Sequence, residues 1–124
     1  MLEESQLNRP SRGRPLRPIE RDLIERMLTW ENAEVDAKLS SSLVEDLQDG
    51  GMGSVLFLTP GKSSRHLGKA VARAEYIDED GVPVSIVINV DQDGELYEVD
   101  FWKVDFSPLR RYPKISEIRS ETHE

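Results

Sequence analysis

Tyr76-Ile77-Asp78-Glu79-Asp80-Gly81-Val82-Pro83-Val84-Ser85-Ile86-Val87-Ile88-Asn89-Val90-Asp91-Gln92-Asp93-Gly94-Glu95-Leu96 carries the plainest structural instruction in the chain. Val82, Val84, Ile86, Ile88 and Val90 recur at every second position, the period of a strand with one buried face. Asp80-Gly81 before them and Asp93-Gly94 after them are hairpin signals, because glycine supplies the positive φ that a tight reversal needs. Working outward, Lys69–Ile77 reads as the preceding strand and Leu96–Val104 as the following one. Three strands joined by two Asp-Gly turns form an antiparallel meander. Pro83 has no N–H to donate, so the start of the middle strand is expected to be incompletely paired.

Further out, Val55-Leu56-Phe57-Leu58 reads as a short buried strand stopped by Pro60, and Leu43–Gln48 as another before it. Asp49-Gly50-Gly51-Met52-Gly53-Ser54 between them reads as a turn. Upstream the period changes to that of a helix. Pro18 suits a first helical turn, Glu20 and Asp22 favour the positive end of the helix dipole, and Ile19, Leu23, Ile24, Met27 and Leu28 form one apolar stripe closed by Trp30. A second, shorter helix is expected over Asn32–Leu39, with Asn32 as its cap. The fold expected is therefore α+β: two N-terminal helices on an antiparallel sheet of about five strands ending in a meander. Residues 1–17 read as a flexible lead-in, 18–110 as a single domain and 111–124 as a tail in which Ile115 and Ile118 are spaced for a short helix.

The chain has 124 residues, no cysteine and a net charge of −8. Its length suits one domain with a core of its own. Without cysteine there is no disulfide, thiolate metal site or thiol nucleophile. No apolar run suggests a signal peptide or a membrane span, so a cytoplasmic location is expected. Negative charge disfavours nucleic acid as a partner, even though Arg9-Pro10-Ser11-Arg12-Gly13-Arg14 has the composition of a nucleic-acid arm. The charge is uneven: Gly61–Ala74 holds four bases and no acid, whereas Glu75–Asp105 holds ten acids against Lys103 alone. An acidic sheet favours a basic partner.

No catalytic constellation is legible. Asp78-Glu79-Asp80-Gly81 and Asp91-Gln92-Asp93-Gly94 resemble calcium loops but lack the twelve-residue ligand span, and the turns explain them. Glu98 and Asp100 share one strand face and have the geometry of paired carboxylates, yet no nucleophile or second base accompanies them. His66 and His123 are too few for a zinc site or a triad. Gly50-Gly51-Met52-Gly53 lacks the Gly-Lys-Ser/Thr ending of a phosphate loop. The expectation is a protein without enzymatic activity, cofactor or metal. In Tyr97–Phe106 large apolar groups alternate with charged ones. Trp102, if exposed beside Glu98 and Asp100, has the character of an interface hot spot.

Asp49–Ser54 and Asp100–Leu109, with Arg14-Pro15-Leu16-Arg17 ahead of the helix containing Glu20, resemble a family of small uncharacterised bacterial domains. Some of its members look like immunity proteins of contact-dependent growth inhibition or polymorphic toxin systems. The resemblance covers about residues 14–110 and implies an immunity protein that binds a cognate toxin one to one and occludes its active site. Nuclease toxins are basic, so Asp78, Asp80, Asp91, Asp93, Glu98 and Asp100 are the expected toxin-binding residues. The alternatives are an accessory interaction domain of another complex and a small metal-dependent hydrolase built on Glu98 and Asp100.

Overall fold

The computed structural model describes residues 13–33, 38–62 and 64–121. The basic residues Arg9 and Arg12, most of the expected lead-in, and His123 lie outside them. In chain order the elements are β1 (Arg14–Pro15), α1 (Pro18–Trp30), a 3-10 turn (Leu39–Ser41), β2 (Leu43–Asp46), β3 (Val55–Leu58), β4 (Leu67–Ile77), β5 (Pro83–Asp91), β6 (Leu96–Lys103), a second 3-10 turn (Ile115–Glu117) and β7 (Arg119–Ser120). The strands form one antiparallel sheet in the order β1-β2-β3-β6-β5-β4-β7.

The meander β4–β5–β6 is present, with both Asp-Gly turns. In each turn the glycine adopts positive φ and donates to the carbonyl three residues back, Gly81 to Asp78 at 2.9 Å and Gly94 to Asp91 at 3.0 Å. Pro83 pairs opposite Ile77, and its carbonyl accepts from the Val104 N–H. The β2–β3 hairpin joins the meander where β3 runs beside β6, Val55 opposite Val99 and Leu56 opposite Glu98.

The expected class is corrected in two respects. Among the described residues there is one α-helix, not two, and the sheet has seven strands, not about five. Asn32 does not start a helix; it stops one. It sits at φ 52° just after α1, with Asn32 N–H bonded to the Thr29 carbonyl and Ala33 N–H to that of Leu28. That pair of bonds is the left-handed C-terminal cap that favours glycine or asparagine. Residues 34–37 lie outside the description, and Leu39 opens a 3-10 turn whose side chain enters the core. The two further strands, β1 and β7, are two residues long each, too short to show a period of two.

The core lies on one side of the sheet only. Leu23, Ile24, Met27 and Leu28 of α1 pack on the inward residues of the strands, among them Val44, Phe57, Ala74, Tyr76, Ile86, Ile88, Val99 and Phe101. Leu16 and Ile118, beyond the two ends of the 18–110 span, are buried in the same core. At the start of α1 the expected stripe is shifted: Ile19 is exposed and Glu20 is buried. Glu20 reaches back to accept from the backbone N–H of Arg17 at 2.7 Å, the glutamate half of a capping box, which fixes where the helix begins.

β4 changes register against β5 twice, at Leu67/Lys69 and Ala70/Ala72. At the first irregularity a Cβ on Gly68 would collide with the carbonyl of Asp91, a backbone atom unable to give way. Gly68→Ala is therefore expected to lower stability by about 1–3 kcal/mol through overpacking, measured by urea denaturation. Unchanged stability would show that the strands do not approach this closely at Gly68.

Candidate functional site

Ion-pair clusters pin the loops to the sheet, Arg111 with Glu79 and Glu117 among them, and three of them involve buried acids. Arg14 on β1 holds Glu20 with two parallel bonds of 2.9 Å and also reaches Asp46 at 2.8 Å. In the second cluster Lys103 is 0% exposed; its ammonium contacts Asp78 at 2.9 Å, Asp80 at 2.7 Å and the Pro108 carbonyl at 3.0 Å. The third centres on Asp91, which accepts from Lys62 at 3.0 Å and Arg65 at 2.9 Å, while Lys62 also meets Asp93 and Glu95.

The second and third clusters answer the calcium-loop likeness. Each Asp-x-Asp-Gly turn closes on a lysine of this chain, so the carboxylates that would face a cation already face an ammonium. Among the described residues no group of three or more His, Asp or Glu is arranged to hold a metal ion. The glycine-rich turn has a similar explanation. The Asp49 carboxylate accepts from the N–H groups of Met52 and Ser54, both at 3.0 Å, where a phosphate loop would present them to an anion. His66 is exposed, and its backbone N–H bonds to Gln92.

Burial alone would push the carboxyls of Glu20, Asp78 and Asp91 up. In each case hydrogen bonds from cations and backbone N–H groups outweigh it and hold the carboxyl below its usual range. Asp100 behaves oppositely: burial pushes its carboxyl up, reinforced by Asp49 and opposed by a 3.4 Å bond from the Ser54 hydroxyl.

The six expected partner-binding residues do not form one surface. The turns carrying Asp78 and Asp80 and those carrying Asp91 and Asp93 lie at opposite ends of β5, about 27 Å apart at the rise of a strand. Asp78 and Asp91 are buried, and Asp80 and Asp93 are each bonded to a lysine. Glu98 and Asp100 do share the outer face of β6, where Glu98 accepts from the Asn89 amide at 3.0 Å.

That outer face is the molecule's most distinctive surface, because no described helix packs on it. One row across it runs Glu45, Leu56, Glu98, Asn89, and the next places Asp100 opposite Val87. At one end Thr59, Pro60 and Arg65 border it. There Arg65 lies over the Tyr97 ring at 5.1 Å, and a recess of about 520 Å³ opens among Leu43, Leu56, Leu58, Pro60 and Tyr97. At the other end stand Trp102 (49% exposed), Val104, Ile77 and Phe106 (67% exposed). Trp102 and Phe106 are 6.1 Å apart between ring centres. Phe106 takes φ 65°, a left-handed conformation that is uncommon for a bulky residue, and is held there by its N–H bond to the Lys103 carbonyl at 2.8 Å.

The exposure of Trp102 meets the condition set for a hot spot, but Ile77, Val104 and the Arg65–Tyr97 wall are not singled out by sequence reasoning. A signal existed for Ile77: Tyr76 and Ile77 are adjacent in an alternating strand, so one of them must face outward.

A family model described as a domain of unknown function (DUF6984) matches residues 13–113. Nothing in that match connects the chain to immunity proteins or toxin systems. No similarity to a curated protein or to a solved structure was found.

Two outcomes follow from the clusters. Lys103→Met leaves the buried Asp78 without its ammonium, Asp80 keeping only the longer 3.7 Å contact to the exposed Arg110, and is expected to cost about 3–5 kcal/mol; Lys62→Met, whose Asp91 keeps Arg65, should cost clearly less. Equal losses in chemical denaturation would refute the distinction. Since the folded carboxyls of Glu20, Asp78 and Asp91 lie below their unfolded values, their contribution is complete above about pH 4–5. It declines as pH falls through the folded values, so a melting temperature that stays flat on acidification from pH 5 to pH 2 would contradict the assignment.

Proposed function

The chain belongs to the DUF6984 family, and from the open face of its sheet we propose that it is a binding domain that docks a basic protein and performs no chemistry of its own. One observation carries the reading: an exposed aromatic pair, Trp102 and Phe106, stands on the same sheet face as the carboxylates of Glu98 and Asp100. An aromatic anchor beside carboxylates gives binding energy and, through the charges, selectivity for a positive partner. The net charge of −8 adds long-range attraction for such a partner.

The specific form of this role is neutralisation of a cognate bacterial toxin inside the cell. A nuclease toxin must present a basic cleft to nucleic acid, and an acidic face with an aromatic anchor is suited to fill it. Support comes from the charge of the chain and from its resemblance to small bacterial domains with immunity-like members. The binding surface is drawn more narrowly than sequence suggests: Glu98 and Asp100 remain, Trp102 and Phe106 join them, and Asp78, Asp80, Asp91 and Asp93 serve the fold.

The test is capture of partners from the native host by tagged protein, with affinities then measured for the purified pair. A basic protein should be recovered at low salt and bind more weakly as salt rises. Trp102→Ala should weaken the complex more than tenfold, about 2 kcal/mol, and Glu98→Lys with Asp100→Lys should weaken it further. An affinity indifferent to all three substitutions and to salt would remove the open face from the account.

A further inference from the structure

The two sides of the sheet differ in kind. The inner side is covered by α1, whose Leu23, Ile24, Met27 and Leu28 fill it. The outer side has no covering layer among the described residues, yet it is not a plain polar face. It is bounded at one end by the recess of Leu43, Leu56, Leu58 and Tyr97 and at the other by Trp102 and Phe106, with Glu98 at the edge of the recess in the Leu56 row and Asp100 between it and Trp102. Apolar sites at both ends of an acidic middle imply an occupant that offers apolar groups at intervals and positive charge between them.

The backbone limits the form of that occupant. β3 and β6 are interior strands that pair with each other over Val55–Leu56 and Glu98–Val99; beyond that stretch side chains take facing backbone groups, Ser54 the Phe101 N–H, Met52 the Lys103 N–H and Arg65 the Phe57 and Leu96 carbonyls. An extended segment laid across this face would find no main-chain partners and would bury its own N–H and C=O groups without hydrogen bonds. A helix satisfies its own backbone and meets the sheet with side chains alone, as α1 does on the inner side. From the level of Leu58 to that of Trp102 the strands climb about 20 Å, the length of about 13 helical residues. We infer that the occupant of the open face is an amphipathic basic helix of the partner protein, lying along β6 with apolar residues in the Leu56–Tyr97 recess and against Trp102 and Phe106, and with lysines or arginines over Glu98 and Asp100. This deepens, and rests on, the reading of the face as a docking surface for a basic protein.

The experiment is an NMR titration of the isotopically labelled protein with two synthetic 14-residue peptides of identical Leu, Lys and Arg content. One has its leucines at helical i, i+3, i+4, i+7 spacing; the other is scrambled so that no apolar face forms. The amphipathic peptide is expected to shift the Trp102 indole and the amides of Leu56, Glu98 and Asp100, to leave the Trp30 indole on α1 in place, and to bind at least tenfold more tightly than the scrambled one. The milder pair Glu98→Gln with Asp100→Asn, which keeps the size of both side chains, should weaken it several-fold. Equal affinity of the two peptides on this face would overturn the helix while leaving a basic docking surface. Shifts confined to the β4 edge at Lys69–Ala72 would overturn it in favour of strand addition. No shift with either peptide would overturn both readings.

Discussion

The ammonium of Lys103 sits inside the protein, sealed from solvent, and one whole end of the sheet is organised round it. It ties the β4–β5 turn, through Asp78 and Asp80, to the end of β6 and to the chain beyond it at Pro108. The Arg110 N–H donates to the same Asp78 at 2.7 Å, the Tyr76 hydroxyl to the Arg111 carbonyl, and Tyr112 packs against Phe101. The segment leaving the sheet is thereby led back along the core to Ile118 and β7. A hydrophobic group in place of Lys103 could fill the same volume, but it could not specify which carboxylates and which carbonyl meet there. Buried charge of this kind contributes geometry more than net stability, since desolvation consumes much of the attraction.

The same arrangement occurs at the other end of β5, where Asp91 collects Arg65 and Lys62. Arg65 goes further, bonding the carbonyls of Phe57 and Leu96 at 2.8 and 2.6 Å and so joining β3, β6 and the intervening loop through one side chain. Lys62 and Arg65 of the basic segment thus supply internal counter-charges for the acidic turn. On the outer face Glu98 and Asp100 meet neutral donors, Asn89 and Ser54, and no cation, and this is why binding is sought there and not at the turns, although the turns are the more acidic in sequence.

Strands with strict alternation and hairpins with Asp-Gly were legible from the chain because their causes are local: side-chain period and backbone sterics. The meander, the Val55–Leu58 strand and the start of α1 at Pro18 all belong to this group. Asn32 is ambiguous in sequence because asparagine serves either end of a helix, and only the tertiary course of the chain decides which. β1 and β7 were invisible because two residues have no period; they exist where long-range pairing with β2 and β4 holds them. Lys103 left a faint trace. It has the same parity as Val99 and Phe101, so alternation already placed a charge on the buried side, but nothing local named Asp78 as its partner. For the open face, Trp102, Glu98 and Asp100 were found through their common parity, whereas the Tyr97 recess depends on a loop whose path sequence does not give.

The strand order sets β1 at one margin of the sheet and β7 at the other, with the five longer strands between them. Tension applied through Arg14 and Ser120 would therefore enter at opposite margins and act across the ladder, loading its hydrogen bonds one after another and not all together. Such a sheet opens like a zipper: the two-residue strands would part first, at little force, and the meander with its ionic clamps would yield last. A cellular unfoldase that grips either end of this domain would meet its weakest bonds at the outset, so the resistance of the fold to pulling is set by its margins and not by its core.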